Sequence, residues 1–170
     1  MRTILLSTVL LAAPALAGAK SGPQKLTVTS SAFAANSAIP DEYTCAGSDV
    51  SPQLAWSNMP ATAKSVAILV EDPDAPKGTV LHWLVTGIDP ALTAVSRGSV
   101  PDGAMQAKNE RGATAYMGPC PPAGAAHHYH FRVYALDLKL DRPASKSDFM
   151  SEIKGHVIAE GELVGTYQKK

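Results

Sequence analysis

The stretch KSVAILVE at Lys64–Glu71 runs directly into Asp72-Pro73-Asp74-Ala75-Pro76. Its β-branched, apolar composition predicts a central strand that is buried on both faces. The two prolines fix their own φ angles and hold the residues before them extended, so the strand ends on a stiff loop. Alternate side chains from Val66 to Val70 share one face, and the same alternation puts Asp72 on that face.

Five further runs have the β-branched content and the turn boundaries that are typical of strands. Thirteen Pro and thirteen Gly separate these runs into short pieces. Gly161 interrupts the last run, so we expect a bend or a bulge there. The five runs are Lys25–Ser30, Leu54–Ser57, Val80–Ile88, Tyr129–Leu136 and His156–Tyr167.

One segment, Lys146–Lys154, has the pattern of a helix. Ser145 stands at the N-cap position with Asp148 three residues later, and Gly155 stands where a helix commonly ends. Many short strands, one short helix and turns rich in Pro and Gly predict a mainly β sandwich. The chain shows no internal repeat and no low-complexity linker, which favours a single domain over residues 18–170.

The first seventeen residues have the pattern of a signal peptide. Arg2 supplies the positive charge, Ile4–Leu16 is almost wholly apolar, and Ala15-Leu16-Ala17 fits the small-x-small cleavage rule. The apolar run is too short to span a bilayer comfortably. We therefore expect cleavage near Ala17, a periplasmic or secreted protein, and no stable membrane insertion.

Charge and cysteine content narrow the function further. Lys+Arg and Asp+Glu both number 15, and this balance argues against nucleic-acid binding, which needs an excess of positive charge. The two cysteines, Cys45 and Cys120, are an even pair in an exported chain, so we expect a disulfide, although two buried free thiols are the alternative.

The candidate binding residues lie beside two proline-rich loops. Gly118-Pro119-Cys120-Pro121-Pro122 forms the second of these, and Gly118 lets backbone approach a ligand closely. His82 lies within a strand, where a histidine is more often a core residue than a functional one. His127 and Tyr129 share one strand face by alternation, so two imidazoles and a phenol can offer N–H and O–H donors to a phosphate or carboxylate.

Metal binding and nucleophilic catalysis have weaker support. His128 and His130 form one pair of possible ligands, but they face away from His127, and the spacing of a structural zinc site is absent. The sequence contains no Gly-x-Ser-x-Gly, His-Glu-x-x-His or phosphate-loop motif. We therefore expect no metal, no cofactor and no enzymatic activity.

Motifs in order along the chain resemble the phosphatidylethanolamine-binding protein family, also called Raf kinase inhibitor-like proteins, in its exported bacterial branch. They span nearly all of the chain after the signal peptide. They are Ile39-Pro40-x-x-Tyr43-Thr44-Cys45-x-Gly47, Ser51-Pro52-x-Leu54-x-Trp56, the Asp72–Pro76 loop, His82-Trp83, Pro101-Asp102-Gly103, the Gly118–Pro122 loop, the run from His127 to Leu136, and Gly161–Tyr167.

The resemblance implies a β-sandwich of two antiparallel sheets, with one or two short helices and a small anion pocket at one end. The pocket would take phosphate-type groups such as a phosphoethanolamine head group. By motif, the ligand-binding residues would be Asp72, Asp74, Pro76, His82, Gly118, Pro119, His127 and Tyr129. The alternative function is an inhibitor or interaction module that acts on a protease or kinase in the cell envelope. Family members occur as monomers and as homodimers, so both states are open.

Overall fold

The computed structural model of the chain describes residues 22–140 and 145–169. The predicted signal peptide at residues 1–17 lies outside the described residues. The strands are β1 Gln24–Lys25, β2 Thr27–Thr29, β3 Leu54–Ser57, β4 Ser65–Asp72, β5 Val80–Ile88, β6 Ala94–Val95, β7 Met105–Gln106, β8 His127–Leu136 and β9 Val157–Tyr167. The helix α1 spans Lys146–Glu152, and a single 3₁₀ turn spans Asp41–Tyr43.

The strands form two sheets, as expected for a mainly β sandwich. The larger sheet has the order β1-β9-β8-β4-β5-β7, and the smaller has the order β2-β3-β6. All strand pairs are antiparallel except at one edge, where β1 runs parallel to β9. The expected two antiparallel sheets are thus present, with one short parallel pair added at this edge. The Leu26 N–H donates to the Glu160 carbonyl at 2.8 Å and holds the chain against β9 before it crosses to the smaller sheet.

That crossing also splits the run predicted as one strand at Lys25–Ser30. Leu26 is buried between β1 and β2, and the chain changes sheets there. The expected irregularity at Gly161 is wrong, because Gly161 pairs regularly with Val133 and the register shift lies near Leu136 instead. Gly161 is needed for close packing, since a Cβ there would lie 2.5 Å from the Leu26 carbonyl oxygen.

The main core lies between the two sheets. Strand β4 occupies the middle of the larger sheet, and all eight of its residues are buried, as its continuous apolar sequence predicts. Strand β8 alternates instead at its first residues, with the side chains of His127 and Tyr129 buried and that of His128 exposed. The inner residues of the larger sheet include Val66, Ile68, Val70, Trp83, Val85, Phe131 and Val133.

A second core lies on the opposite face of the larger sheet, beneath α1. Phe149 and Ile153 pack there with Leu69, Tyr134 and Leu136. The helix begins as predicted, because the Ser145 hydroxyl accepts the Asp148 N–H at 3.2 Å. It ends at Glu152, two residues earlier than expected. No helix among residues 22–140 and 145–169 is long and apolar enough to cross a membrane.

Candidate functional site

A cavity of about 360 Å³ lies at the end of the larger sheet where β4 finishes and β8 begins. The antiparallel pairing of these two strands puts the last residue of β4 near the first residue of β8. The lining residues come from β4, β5 and β8 and from the loops around them. They are Asp72, Ala75, Pro76, Lys77, Val80, His82, Glu110, Arg111, Met117, Gly118, Cys120, Pro121, Pro122, His127 and Tyr129.

Asp72 and His127 form a buried pair in this cavity. Asp72 Oδ2 lies 2.8 Å from His127 Nδ1, and both side chains are at most one-tenth exposed. A carboxylate can only accept a hydrogen bond, so His127 Nδ1 carries the proton and donates a hydrogen bond to Asp72. The other carboxylate oxygen, Oδ1, accepts the Asp74 N–H at 2.9 Å. The pair thus fixes the orientation of the His127 ring and leaves Nε2 for a ligand.

His82 is fixed in the same way by a backbone carbonyl. Its Nδ1 lies 2.6 Å from the Met117 carbonyl oxygen, and the Met117 N–H donates to the His82 carbonyl at 3.0 Å. A carbonyl only accepts, so Nδ1 again carries the proton and Nε2 is the ring nitrogen left over. Burial lowers the pKa of His82 below its usual value, although the bond to Met117 opposes this shift. In the free protein at neutral pH, His82 is therefore uncharged.

Tyr129 is fully buried beside these groups. Its ring meets the His82 ring edge to face, with 5.2 Å between the ring centroids. Among the described residues, its hydroxyl makes no close hydrogen bond, although it lies near the Asp72 carboxylate. Burial raises the pKa of Tyr129, and the nearby Asp72 carboxylate raises it further. The hydroxyl therefore keeps its proton and has a donor to offer.

The opposite wall of the cavity is held by a distant loop. The Gly118 N–H donates to Asp49 Oδ1 at 2.6 Å, and the Cys45 N–H donates to the Pro119 carbonyl at 3.1 Å. Cys45 and Cys120 form the expected disulfide, with their Cα atoms 5.4 Å apart. A Cβ on Gly118 would lie 2.4 Å from Asp49 Oδ1. Only glycine therefore permits this approach of the wall to Asp49.

Six of the eight predicted ligand-binding residues line the cavity, namely Asp72, Pro76, His82, Gly118, His127 and Tyr129. Asp74 and Pro119 are not among its lining residues. Asp74 holds its loop against β8, because its Oδ2 accepts from the His128 N–H at 2.9 Å and lies 2.7 Å from His128 Nδ1. These hydrogen bonds lower the pKa of Asp74. Asp74 thus supports the cavity through its carboxylate and Pro119 through its backbone carbonyl, and neither residue lines the cavity.

Sequence reasoning missed the charged residues Lys77, Glu110 and Arg111, which also line the cavity. Lys77 follows the Asp72–Pro76 loop directly, and this position could have indicated that it lies beside the cavity. Glu110 and Arg111 lie in the irregular segment between β7 and β8, where no periodicity indicates which way a side chain faces.

A second concave region of about 450 Å³ lies on the outer face of the larger sheet and includes Arg132 and Glu162. Two of its charged side chains, Arg132 and Glu162, are already paired within the protein. Arg132 Nε donates to Glu162 Oε1 at 2.8 Å, and Arg132 Nη1 donates to Glu71 Oε2 at 2.9 Å. His130 Nδ1 also lies 2.7 Å from Glu162 Oε1. The cavity at Asp72 is the better candidate, because its polar groups include a hydroxyl that makes no close hydrogen bond among the described residues.

The two-sheet fold with a cavity at one end of its larger sheet has the architecture of a β-sandwich binding protein. Residues 29–168 match the sequence family described as phosphatidylethanolamine-binding protein, and the chain belongs to that family. A UPF0098 protein of Methanothermobacter thermautotrophicus is 43% identical over 145 residues, which cover 81% of this chain and 95% of the relative.

Two solved structures have the same fold. CT736 of Chlamydia trachomatis, a homologue of phosphatidylethanolamine-binding protein, gives a TM-score of 0.79 at 38% identity and covers 88% of this chain and 100% of its own. Escherichia coli YbcL, described as a member of the mammalian PEBP family, gives a TM-score of 0.79 at 31% identity and covers 85% of this chain and 99% of its own.

Proposed function

We propose that the protein is a non-catalytic binding protein whose cavity takes a phosphate-type anion, such as the head group of phosphoethanolamine. The observation that carries this proposal is the arrangement of His82, His127 and Tyr129. Each imidazole has its Nδ1 bonded to the protein, and the Tyr129 hydroxyl is buried without a close hydrogen bond among the described residues. A buried donor without a partner costs about 1–3 kcal/mol, and a ligand oxygen relieves that cost.

Proton uptake accompanies binding in this proposal. A neutral imidazole whose Nδ1 carries the proton offers only an acceptor at Nε2. His82 is neutral in the free protein, so an anion gains a hydrogen bond from its Nε2 only when His82 takes up a proton or the ligand brings one. The hydrogen bond between His82 and the ligand therefore needs either a protonated His82 imidazole or a protonated phosphate. Affinity then falls as pH rises and both protons are lost.

The chemistry of the cavity lining supports a binding role over catalysis. Asp72 and His127 have the geometry of a general base with its orienting acid. However, the cavity lining contains no serine or threonine, and its one cysteine, Cys120, is held in the disulfide. The aliphatic hydroxyl and free thiol nucleophiles that such a base ordinarily activates are therefore absent from the described lining. We expect no turnover of phosphate or carboxylate esters by the purified protein.

We further propose that the protein acts outside the cytoplasm, in the periplasm or after secretion. The signal-peptide pattern at residues 1–17 supports this location. A relative from Mycobacterium tuberculosis, LppC, is named as a candidate lipoprotein and is 39% identical over 148 residues. A fraction assay that finds the full chain only in the cytoplasm would contradict this location.

Calorimetric titration of residues 18–170 with phosphoethanolamine tests the proposed ligand class, with inorganic phosphate and acetate as comparison ligands. We expect one binding site in the wild type and loss of binding in His127→Ala. His156→Ala is the matched control, because His156 is an exposed histidine that pairs with Asp137 and is absent from the cavity lining. Thermal unfolding of both variants confirms that they are folded.

Equal binding by the wild type and His127→Ala would refute the assigned site. Absence of heat with any anion would refute the ligand class. The protein-interaction alternative would then be tested by capture of a protease or kinase from an envelope extract.

A further inference from the structure

The deep end of the cavity contributes no permanent positive charge. Asp72 contributes a carboxylate that accepts the hydrogen bond from His127 Nδ1, while burial keeps His82 neutral. A dianionic ligand therefore needs a fixed cation from elsewhere in the cavity. Among the lining residues, only Lys77 and Arg111 carry a side chain that is charged positively at every physiological pH.

The backbone of Arg111 is held firmly, although its side chain reaches solvent. The buried Asn109 carboxamide oxygen accepts the N–H groups of Arg111 at 3.0 Å and Ala113 at 3.1 Å. The Asn109 amide group donates to the Ala115 carbonyl at 2.9 Å. The Glu110 N–H donates to the Leu81 carbonyl of β5 at 3.0 Å. The guanidinium group is thus presented at the cavity from a defined position.

The present partner of Arg111 is easily exchanged. Arg111 Nη1 lies 3.8 Å from Asp49 Oδ2, which is longer than a hydrogen bond, and the two side chains are 53% and 36% exposed. An ion pair of this kind contributes little to stability. Asp49 keeps a second role without Arg111, because its Oδ1 accepts the Gly118 N–H. A ligand can therefore bind the Arg111 guanidinium group while the hydrogen bond between Asp49 and Gly118 stays in place.

We propose that Arg111 is a specificity-determining residue that selects a terminal phosphate monoester over a phosphodiester or a carboxylate. This inference rests on the proposed function of the cavity. The planar guanidinium group can donate two parallel hydrogen bonds to two oxygens of one phosphate. A terminal monoester presents three free oxygens and a charge near −2, whereas a diester presents two free oxygens and a charge of −1. When two oxygens bond Arg111, only the monoester keeps a third free oxygen for the buried Tyr129 hydroxyl.

The test compares O-phosphoethanolamine, a monoester, with glycerophosphoethanolamine, the diester that represents a lipid head group. Calorimetry at pH 7.5 and constant ionic strength measures both ligands against wild type, Arg111→Gln and Arg111→Lys. Charged hydrogen bonds of this kind correspond to a tenfold or larger change in affinity. We expect Arg111→Gln to weaken monoester binding about tenfold or more and to leave diester binding within about twofold. Arg111→Lys should bind the monoester with intermediate affinity, because it keeps the positive charge and loses the planar group that donates two parallel hydrogen bonds.

Two matched controls separate this role from a general effect of charge. Lys77→Gln removes the other lining cation, and Arg97→Gln removes an arginine that pairs with Glu42 away from the cavity. Arg97→Gln should leave monoester binding within about threefold of wild type, whereas Lys77→Gln, which removes a charge without a planar fork, should weaken monoester and diester binding by one and the same factor, smaller than the loss in Arg111→Gln. If Arg111→Gln binds the monoester like wild type, or if Lys77→Gln shows the same loss, the role of Arg111 is refuted and the proposed binding function stands. If wild type binds neither compound, both proposals fail.

Discussion

Removal of the Cys45–Cys120 disulfide has an effect whose size follows from the chain itself. The two cysteines lie 75 residues apart in the sequence. A cross-link over a loop of that length restricts the unfolded chain by about 4.5 kcal/mol at 25 °C on the chain-entropy relation. Removal of native disulfides costs about 2–5 kcal/mol. We therefore expect the Cys45→Ala/Cys120→Ala double variant to lose about 2–4.5 kcal/mol of its free energy of unfolding.

Urea unfolding followed by tryptophan fluorescence and circular dichroism measures this loss. The midpoint should fall and the m-value should rise, because an unfolded chain without the cross-link exposes more surface. Wild type in the presence of reductant provides a second sample that lacks the bond but keeps both side chains. A loss below about 1 kcal/mol in both samples, or a loss with an unchanged m-value, would refute an origin in the unfolded chain.

Three further predictions concern single residues. Tyr129→Phe removes a hydroxyl that has no close hydrogen bond among the described residues, so urea unfolding should show a stability equal to wild type or up to about 1–3 kcal/mol higher. Calorimetry of the same variant should show about fivefold weaker binding of phosphoethanolamine. A destabilised variant would contradict this prediction. Burial lowers the pKa of His82, so the unfolded chain binds its proton at higher pH than the folded chain, and the free energy of unfolding should fall as pH drops through about 6.5. His82→Gln should flatten that pH profile in urea unfolding between pH 5 and 8, and an unaltered profile would exclude His82 as its cause. Gly161→Ala should cost about 1–3 kcal/mol in the same assay, because its Cβ would lie 2.5 Å from the Leu26 carbonyl oxygen, whereas Gly22→Ala, with nothing within 4 Å, should be neutral.

The long strands could be predicted because each follows one physical signal. Strand β4 is a continuous apolar run and is buried on both faces, while β8 alternates from His127 and puts Tyr129 on the inner face. The two-residue strands Ala94–Val95 and Met105–Gln106 were missed, because two residues carry no period and pairing with a neighbour alone defines them.

The candidate site also contains residues that could be predicted from the sequence and contacts that could not. Asp72 and His127 could be predicted, because proline loops and strand alternation are local properties of the sequence. The partners of those residues could not be predicted from spacing. Asp49 meets Gly118 across 69 residues of sequence, and Met117 meets His82 across 35. Contacts of that kind exist only after the chain folds, so a single sequence gives no local trace of them.

The distribution of satisfied and unsatisfied groups explains why this end of the sandwich suits a ligand. On the outer face, Arg132 bonds Glu71 and Glu162, so its charge is already compensated within the protein. In the cavity, the protein fixes one nitrogen of His82 and of His127 and leaves the other, and it buries the Tyr129 hydroxyl without a close hydrogen bond among the described residues. Buried polar groups are ordinarily satisfied, because leaving them unpaired lowers stability. Burial of the Tyr129 hydroxyl without a close hydrogen bond costs stability in the free protein, and an anion that enters the cavity recovers that stability as binding free energy.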